Sequence, residues 1–142
     1  VTARRSGLRE RAVNDGAYVV SDGALHSMPA GANRARYVYF QVSDHWGFEL
    51  PAQPSVAVRL TVRTSASARV AVEYDSHLRT GALAGTYTRV DTERRGSDGK
   101  VHEFRMSAVL FANRQNGGCD FRLVLQGPAV GIERVELRAD QP

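Results

Sequence analysis

The sequence contains few of the residues from which disulfides, metal sites and membrane spans are built. Cys119 is the single cysteine in 142 residues, so no disulfide can form within the chain. No apolar run reaches the length of about 18 residues that a membrane-spanning helix needs, and none is predicted. Four histidines lie on separate segments without the spacing of a zinc site: His26, His45, His77 and His102.

Lysine is almost absent as well. Lys100 is the only lysine among 19 basic residues, and the formal net charge is +4. The arginine guanidinium matches carboxylate, sulfate and phosphate groups with two parallel hydrogen bonds, which favours an anionic partner. Codon bias in a GC-rich genome is the competing explanation. The 15 acidic residues are interspersed with the arginines and no aromatic array accompanies them, so no nucleic-acid partner is predicted.

The common motifs of catalysis are also missing. The chain has no phosphate-cradling glycine loop, no nucleophile elbow and no H-E-x-x-H run. Asp44, Glu49 and Asp75 would act as an acid–base pair only if the fold brought two of them together. We therefore predict a binding protein and not an enzyme. The alternative is a hydrolase or lyase, which would need a pair of carboxylates across a cleft.

Alternation of apolar and polar residues is the main feature that the chain does have. After an Asn/Gly-rich loop at residues 113–118, one side of a strand is apolar and the other is mostly polar. Cys119 lies on the apolar side and is predicted to be a small buried hydrophobe, not a nucleophile. The apolar side is Cys119, Phe121, Leu123 and Leu125, and the other side is Asp120, Arg122, Val124 and Gln126.

The same alternation recurs along the chain, and no segment has a helical period. Asp22-Gly23 between two apolar runs predicts a hairpin, and a second turn with Asp98-Gly99 is predicted at residues 92–100. Short strands at near-regular spacing predict an all-β fold, an antiparallel β-sandwich, and eight or so strands suit a jelly roll. The clearest strands are Arg36–Ser43, Val56–Val62, Val70–Asp75, Val101–Met106 and Ile132–Arg138.

The length supports one domain with its own core. Residues 1–13 have no clear period and are interpreted as a linker remnant or edge strand, and residues 14–142 as a single β-sandwich domain. Because the chain begins at Val1 without a methionine, we expect a processed protein or an excised module.

Four segments, in order, carry a resemblance to a known group of domains: YVYFQVSD from Tyr37, VAVEYDS from Val70, LFANRQNGGCDFRL from Leu110 and IERVELR from Ile132. Over roughly Tyr18 to Arg138 the chain resembles galactose-binding-like jelly-roll domains, similar to the carbohydrate-binding modules appended to bacterial polysaccharide-degrading enzymes. The F-A-N-R-Q-N-G-G run is the most specific piece. The resemblance implies the jelly roll, a non-catalytic role, a secreted or extracytoplasmic location and often a structural calcium ion. It does not supply a ligand.

A calcium ion would need several oxygen ligands on irregular loops. Asp15, near the first turn, and Asp140, beyond the last strand, are the candidate ligands, together with backbone carbonyls. This assignment rests mainly on the resemblance, and no other cofactor is predicted.

One end of the sandwich is the first candidate site. Because consecutive antiparallel strands alternate in direction, the loops at residues 44–54, 76–85 and 107–118 are predicted to share that end, where a rigid scaffold concentrates binding residues. Trp46 is the aromatic platform for a sugar ring. Alternatively, Trp46 and Phe48 plug the open end and the loop asparagines only shape their own turn. The candidate carbohydrate-binding residues are Trp46, Asp44, His45, His77, Arg79, Arg114 and Asn116.

A sheet face is the alternative site, where a sugar chain would lie along a groove. The competing interpretation is a cross-strand lattice in which Arg122 lies between Glu73 and Asp120, each pair contributing about 0.2–1 kcal/mol. The residues of this face are Tyr37, Tyr39, Gln41, Glu73, Asp75, Asp120 and Arg122. The opposite sheet is interpreted as a solvated charge lattice of Arg59, Arg63, Arg105, Arg134 and Arg138 with Glu103 and Glu136.

These features predict a non-catalytic carbohydrate-binding accessory module, for acidic polysaccharide given the arginines. A monomeric module of this kind would tether an attached glycoside hydrolase or polysaccharide lyase to its substrate and raise the local substrate concentration. The alternative is a structural or protein-interaction β-sandwich domain of a larger enzyme, with no ligand of its own.

Overall fold

The computed structural model describes residues 8–11, 18–21, 24–27, 36–43, 55–63, 69–79, 81–83, 86–91, 94–97, 99–112, 115, 118–126 and 131–139. These residues form eleven β-strands and one short 3-10 helix. The strands are β1 (Leu8–Arg11), β2 (Tyr18–Ser21), β3 (Ala24–Ser27), β4 (Arg36–Val42), β5 (Val56–Val62), β6 (Arg69–Tyr74), β7 (Thr88–Asp91), β8 (Arg94–Arg95), β9 (Val101–Met106), β10 (Phe121–Gln126) and β11 (Gly131–Ala139), and the 3-10 helix is Gly81–Leu83.

The strands pair into two antiparallel sheets around one core, so the fold is an all-β sandwich, as the alternation predicts. The five-stranded sheet has the order β1-β4-β10-β6-β7, and the six-stranded sheet has the order β2-β3-β11-β5-β9-β8. Leu8–Arg11, within the segment interpreted as a linker remnant or edge strand, forms β1 at the edge beside β4. The predicted hairpin is confirmed, since Ser21 pairs with Ala24 across Asp22 and Gly23.

The second predicted turn forms as well. It joins β8 to β9 within the six-stranded sheet, with Arg95 opposite His102, whereas β7 belongs to the other sheet. Gly96 donates its backbone N–H to the carbonyl of Val101 at 2.8 Å, and Gly99 has a φ of 69° that favours glycine. The chain therefore changes sheets between β7 and β8.

The core lies between the inner faces of the two sheets. In β5 the buried residues alternate with half-buried ones along the whole strand, as a strand with one buried face requires. Cys119 is buried, as predicted. The phenylalanines stack across β4 and β10, where the rings of Phe40 and Phe121 have centroids 5.0 Å apart. Val38, Phe40, Val58, Leu60, Val72, Phe104, Met106, Leu123 and Ile132 are among the residues of this core.

The outer face of the five-stranded sheet differs from the simple expectation of a solvated surface. Tyr39, Ala71 and Val124 point to this face by register, since Val124 is opposite both Tyr37 and Ala71, yet all three are buried. Alternation therefore assigns the face of each side chain correctly, but it does not predict how deeply that face is covered. Tyr39 was predicted on the exposed groove, and its burial corrects that prediction.

Candidate functional site

Two of the three long loops meet at one rim of the sandwich. Ser76, just after β6, forms an isolated antiparallel bridge with Val109, just after β9. The backbone N–H of His77 donates to the carbonyl of Ala108 at 2.8 Å, and that of Leu110 donates to the carbonyl of Asp75 at 3.0 Å. The loops after β6 and β9 therefore share an end, which is the arrangement that the strand directions predict.

Side chains also fasten the loop after β9 to the sheets. The Tyr74 hydroxyl accepts a hydrogen bond from the backbone N–H of Ser107 at 2.9 Å and donates to its carbonyl at 3.0 Å. Farther along this loop, Gln115 is buried, and its backbone N–H donates to the carbonyl of Cys119 at 3.0 Å. These bonds hold the described part of the rim against the strands.

Of the predicted rim residues, the structure describes two. His77 and Arg79 are half-buried and follow β6. The Nε of Arg79 donates to the Thr88 hydroxyl at 3.3 Å, and this hydroxyl is 2.7 Å from that of Ser76. This small polar cluster ties the rim to the start of β7. The remaining predicted rim residues lie outside the described residues: Asp44, His45, Trp46, Arg114 and Asn116.

All of the sheet-face candidates are among the described residues, and Arg122 is at their centre. Its guanidinium carbon lies 4.0 Å from the ring centroid of Tyr37 and 4.0 Å from that of Tyr87. Its Nη1 donates to the Tyr39 hydroxyl at 2.9 Å, and its Nη2 lies 3.1 Å from Oε1 of Glu73. One cation thus contacts two tyrosine rings and is bonded to a third tyrosine and a carboxylate. We call this set, Tyr37, Tyr39, Glu73, Tyr87 and Arg122, the tyrosine–arginine cluster.

The positive charge of Arg122 is paired within the protein with the negative charge of Glu73. Burial alone would lower the pKa of Arg122, but the hydrogen bond with Tyr39 and the charge of Glu73 outweigh it and raise the pKa above its ordinary value. The side chains of Arg122 and Glu73 are only 13% and 15% exposed. Arg122 is therefore a permanent, shielded cation that fixes the positions of the surrounding rings.

Tyr87 is a member of the cluster that the sequence analysis did not select. It lies one residue before β7, whose residues Arg89 and Asp91 continue the same face, since Arg89 is opposite Glu73. The alternation of Tyr87, Arg89 and Asp91 with Thr88 and Val90 was the available signal. Only the pairing of β7 with β6 shows that these residues share a face with Glu73.

The structure also places three further residues that were predicted on this face. Asp120 does not pair with Arg122: its carboxylate accepts the backbone N–H of Val42 at 2.8 Å. Asp75 is buried at the rim. Gln41 is half-buried and pairs in register with Arg9 of the edge strand. The ion-pair lattice around Arg122 therefore includes Glu73 and lacks Asp120.

Among the described residues, no group of three or more His, Cys, Asp or Glu side chains is placed to hold a metal ion. The two predicted calcium ligands, Asp15 and Asp140, lie outside the described residues. No helix within the described ranges is long and apolar enough to cross a membrane.

Comparison with known proteins gives no match. No protein-family model, no curated protein and no solved structure matches the chain.

Proposed function

We propose that this β-sandwich is a non-catalytic carbohydrate-binding accessory module. The observation that carries the proposal is the tyrosine–arginine cluster, in which the guanidinium carbon of Arg122 lies 4.0 Å from the ring centroids of both Tyr37 and Tyr87. Both tyrosines are half-buried, so part of each side chain is open to solvent. Rings fixed in advance lose little conformational entropy when a sugar stacks on them.

Polar groups around the rings fit the same proposal. Gln41 and Arg89 extend the face on either side of the cluster, and the rim with His77 and Arg79 adjoins the start of β7. Sugar recognition combines an aromatic surface for the ring face with planar polar groups for the hydroxyls. Trp46 and its neighbours on the loop at residues 44–54 remain part of the proposed surface.

The finer features of the module belong to this proposal as well. The jelly roll of the galactose-binding-like type is supported by the way the chain passes repeatedly between the sheets: β4, β6, β7 and β10 lie in one, and β5, β8, β9 and β11 in the other. The resemblance supports secretion, a structural calcium ion and attachment to a glycoside hydrolase or polysaccharide lyase. A rise in melting temperature with calcium that the Asp15→Ala variant lacks would support the ion.

A second function has an observation in its favour. Leu78 and Leu83, on the loop after β6, are 63% and 53% exposed. Exposed leucines on a rigid rim suit a contact with another protein domain. In a structural or protein-interaction domain, the tyrosine–arginine cluster would only stabilise the sheet.

An affinity gel with a panel of neutral and acidic polysaccharides tests the two functions. The variants are Tyr87→Ala, which removes one ring of the cluster, Trp46→Ala, which removes the rim platform, and Leu78→Ala, which removes an exposed apolar side chain. We expect Tyr87→Ala to weaken binding about tenfold and Leu78→Ala to leave it unchanged. Thermal melts of all three variants separate lost binding from lost folding.

The outcomes are distinct. A wild-type protein that is not retarded by any polysaccharide contradicts the carbohydrate proposal and leaves the interaction domain. Retardation that is lost in Trp46→Ala but not in Tyr87→Ala moves the site from the sheet face to the rim.

A further inference from the structure

The outer face of the six-stranded sheet carries arginines whose arrangement is set by strand register. Arg138 of β11 and Arg105 of β9 are both Cα partners of Ala57 in β5. Side chains of paired residues point to the same face, so the two arginines flank the methyl group of Ala57. Their Cα atoms are two strand spacings apart, about 9.5 Å.

Arg59 completes a triangle around this methyl group. It lies two residues after Ala57 on the same strand and therefore on the same face, about 7 Å away. Neither register partner of Ala57 is acidic, whereas the partners of Arg59 are Glu136 and Glu103. We call Arg59, Arg105 and Arg138 the arginine triad.

Two members of the triad, Arg59 and Arg138, differ in their pairing from Arg134 and Arg63 on the same face. Arg134 forms an ion pair with Glu136 at 2.6 Å, and Arg63 forms one with Glu133 at 3.3 Å. Within the described part of the chain, Arg59 and Arg138 have no ion pair. Arg138 and Arg105 are exposed, and Ala57 between them is half-buried. The Ala57 position, with an exposed arginine on the neighbouring strand at each side, is thus partly open to solvent.

We propose that the arginine triad around Ala57 binds the anionic groups of a linear acidic polysaccharide. A carboxylate or sulfate above the Ala57 methyl group would be within reach of guanidinium groups from three strands, and each can donate two parallel hydrogen bonds. The solvated charge lattice expected from the sequence is therefore uneven: Glu136 forms an ion pair with Arg134, whereas both register partners of Ala57 are arginines.

The spacing of charges on this face favours a polysaccharide over a nucleic acid. Duplex DNA carries one charge per about 1.7 Å of its axis, and such a dense polyanion would also meet Glu103 and Glu136 beside Arg59. The outward residues of β5, β9 and β11 include no aromatic ring on which a base could stack.

The choice of a polysaccharide as the ligand rests on the proposed function. The arginine triad, however, lies on the opposite sheet from the tyrosine–arginine cluster. The two sites can therefore fail separately. Binding that depends on Ala57 and not on Tyr87 would remove the proposed sugar site and keep the arginine triad. The reverse result would remove the triad alone.

A pair of matched variants tests the triad. Ala57→Glu places a carboxylate among the three arginines, whereas Thr61→Glu places it on the same strand and face, four residues or about 13 Å along. Both change the formal net charge equally, from +4 to +3, because each adds one negative charge. The probes are hyaluronan, which has one carboxylate per disaccharide, and chondroitin sulfate; dextran is the neutral control, and a single-stranded and a duplex oligonucleotide represent nucleic acid.

We expect the wild-type protein to bind hyaluronan and chondroitin sulfate in low salt and to release them as salt is added. Ala57→Glu should weaken this binding at least about tenfold, and Thr61→Glu at most about threefold. Arg138→Gln, at an exposed position, repeats the test if Ala57→Glu melts earlier than the wild type. Equal losses in the two glutamate variants, tighter binding of either oligonucleotide, or no binding to the acidic polymers would each overturn the proposal.

Discussion

The carboxylate of Asp120 accepts a hydrogen bond from the backbone N–H of Val42 at 2.8 Å, 78 residues away in sequence. The backbone N–H of Asp120 in turn donates to the carbonyl of Phe40 at 2.9 Å. This pair of bonds closes the end of β4 against the residue that precedes β10. Because Asp120 is buried, water cannot replace the carboxylate where it meets Val42.

Replacing Asp120 with alanine should therefore lower the free energy of unfolding by about 1–3 kcal/mol, the usual cost of leaving a buried donor without its acceptor. Urea denaturation followed by tryptophan fluorescence measures the change. Asp91→Ala, at an exposed position on β7, is the control and should change stability by less than about 0.5 kcal/mol. Equal effects of the two substitutions would show that the bond to Val42 is not stabilising.

The ion pair of Arg122 and Glu73 should contribute more than an exposed pair. A double-mutant cycle with alanine at both positions is expected to give a coupling energy of about 1 kcal/mol or more, because both side chains are largely shielded from water. The matched cycle uses Arg89 and Asp91, which are 3.5 Å apart on the same sheet but exposed. Its coupling should be near zero, and a coupling as large as that of the shielded pair would contradict the argument.

Much of the strand pattern could be predicted because its determinants are local. Alternation along Val56–Val62 identifies the buried face of β5, and two turn residues define the β2–β3 hairpin. The partner of each strand is not local information. The position of β10 between β4 and β6 joins segments that are distant in sequence, and no periodicity records it.

The candidate site was predictable to the same extent. Outward-facing Tyr37, Glu73 and Arg122 could be assigned to one face from alternation, but the addition of Tyr87 and the loss of Asp120 depend on strand pairing and on where β10 begins. The arginine triad was hidden for the same reason. Arg59, Arg105 and Arg138 look like any charge lattice until register places two of them opposite Ala57.

A buried histidine makes stability depend on pH. His102 is 2% exposed and is opposite Leu60 on β5 and Arg95 on β8. Burial, and then the positive charge of Arg95, lower the pKa of His102 below its ordinary value of 6.5. The unfolded chain thus takes up a proton near pH 6.5, whereas the folded protein takes it up only at lower pH. The contribution of neutral His102 to stability is therefore complete above pH 6.5 and is lost as the pH falls toward the folded-state pKa.

Across this window, denaturation curves should therefore show that the free energy of unfolding decreases as the pH is lowered, by up to about 1.4 kcal/mol per pH unit. His102→Leu, which places an apolar side chain that does not titrate at the same buried position, should remove this part of the slope. Comparing the two proteins at pH values above the window separates the packing cost of leucine from the titration. An unchanged slope in the variant would assign the pH dependence to other groups.

Ala108 stores backbone strain at the rim, and a substitution to glycine should reveal it. Its φ of 51° lies in the left-handed region, where a Cβ atom costs about 1–2 kcal/mol. Glycine would relieve that cost but would lose a buried methyl group and stiffness in the unfolded chain, so Ala108→Gly should leave the free energy of unfolding within about 1 kcal/mol of the wild type. Ala71→Gly, at a buried position within β6, loses the same methyl group without such relief. Thermal and urea denaturation should show this control to be less stable by about 1.5 kcal/mol, and an equal loss at both positions would mean that the loop after β9 holds Ala108 without strain.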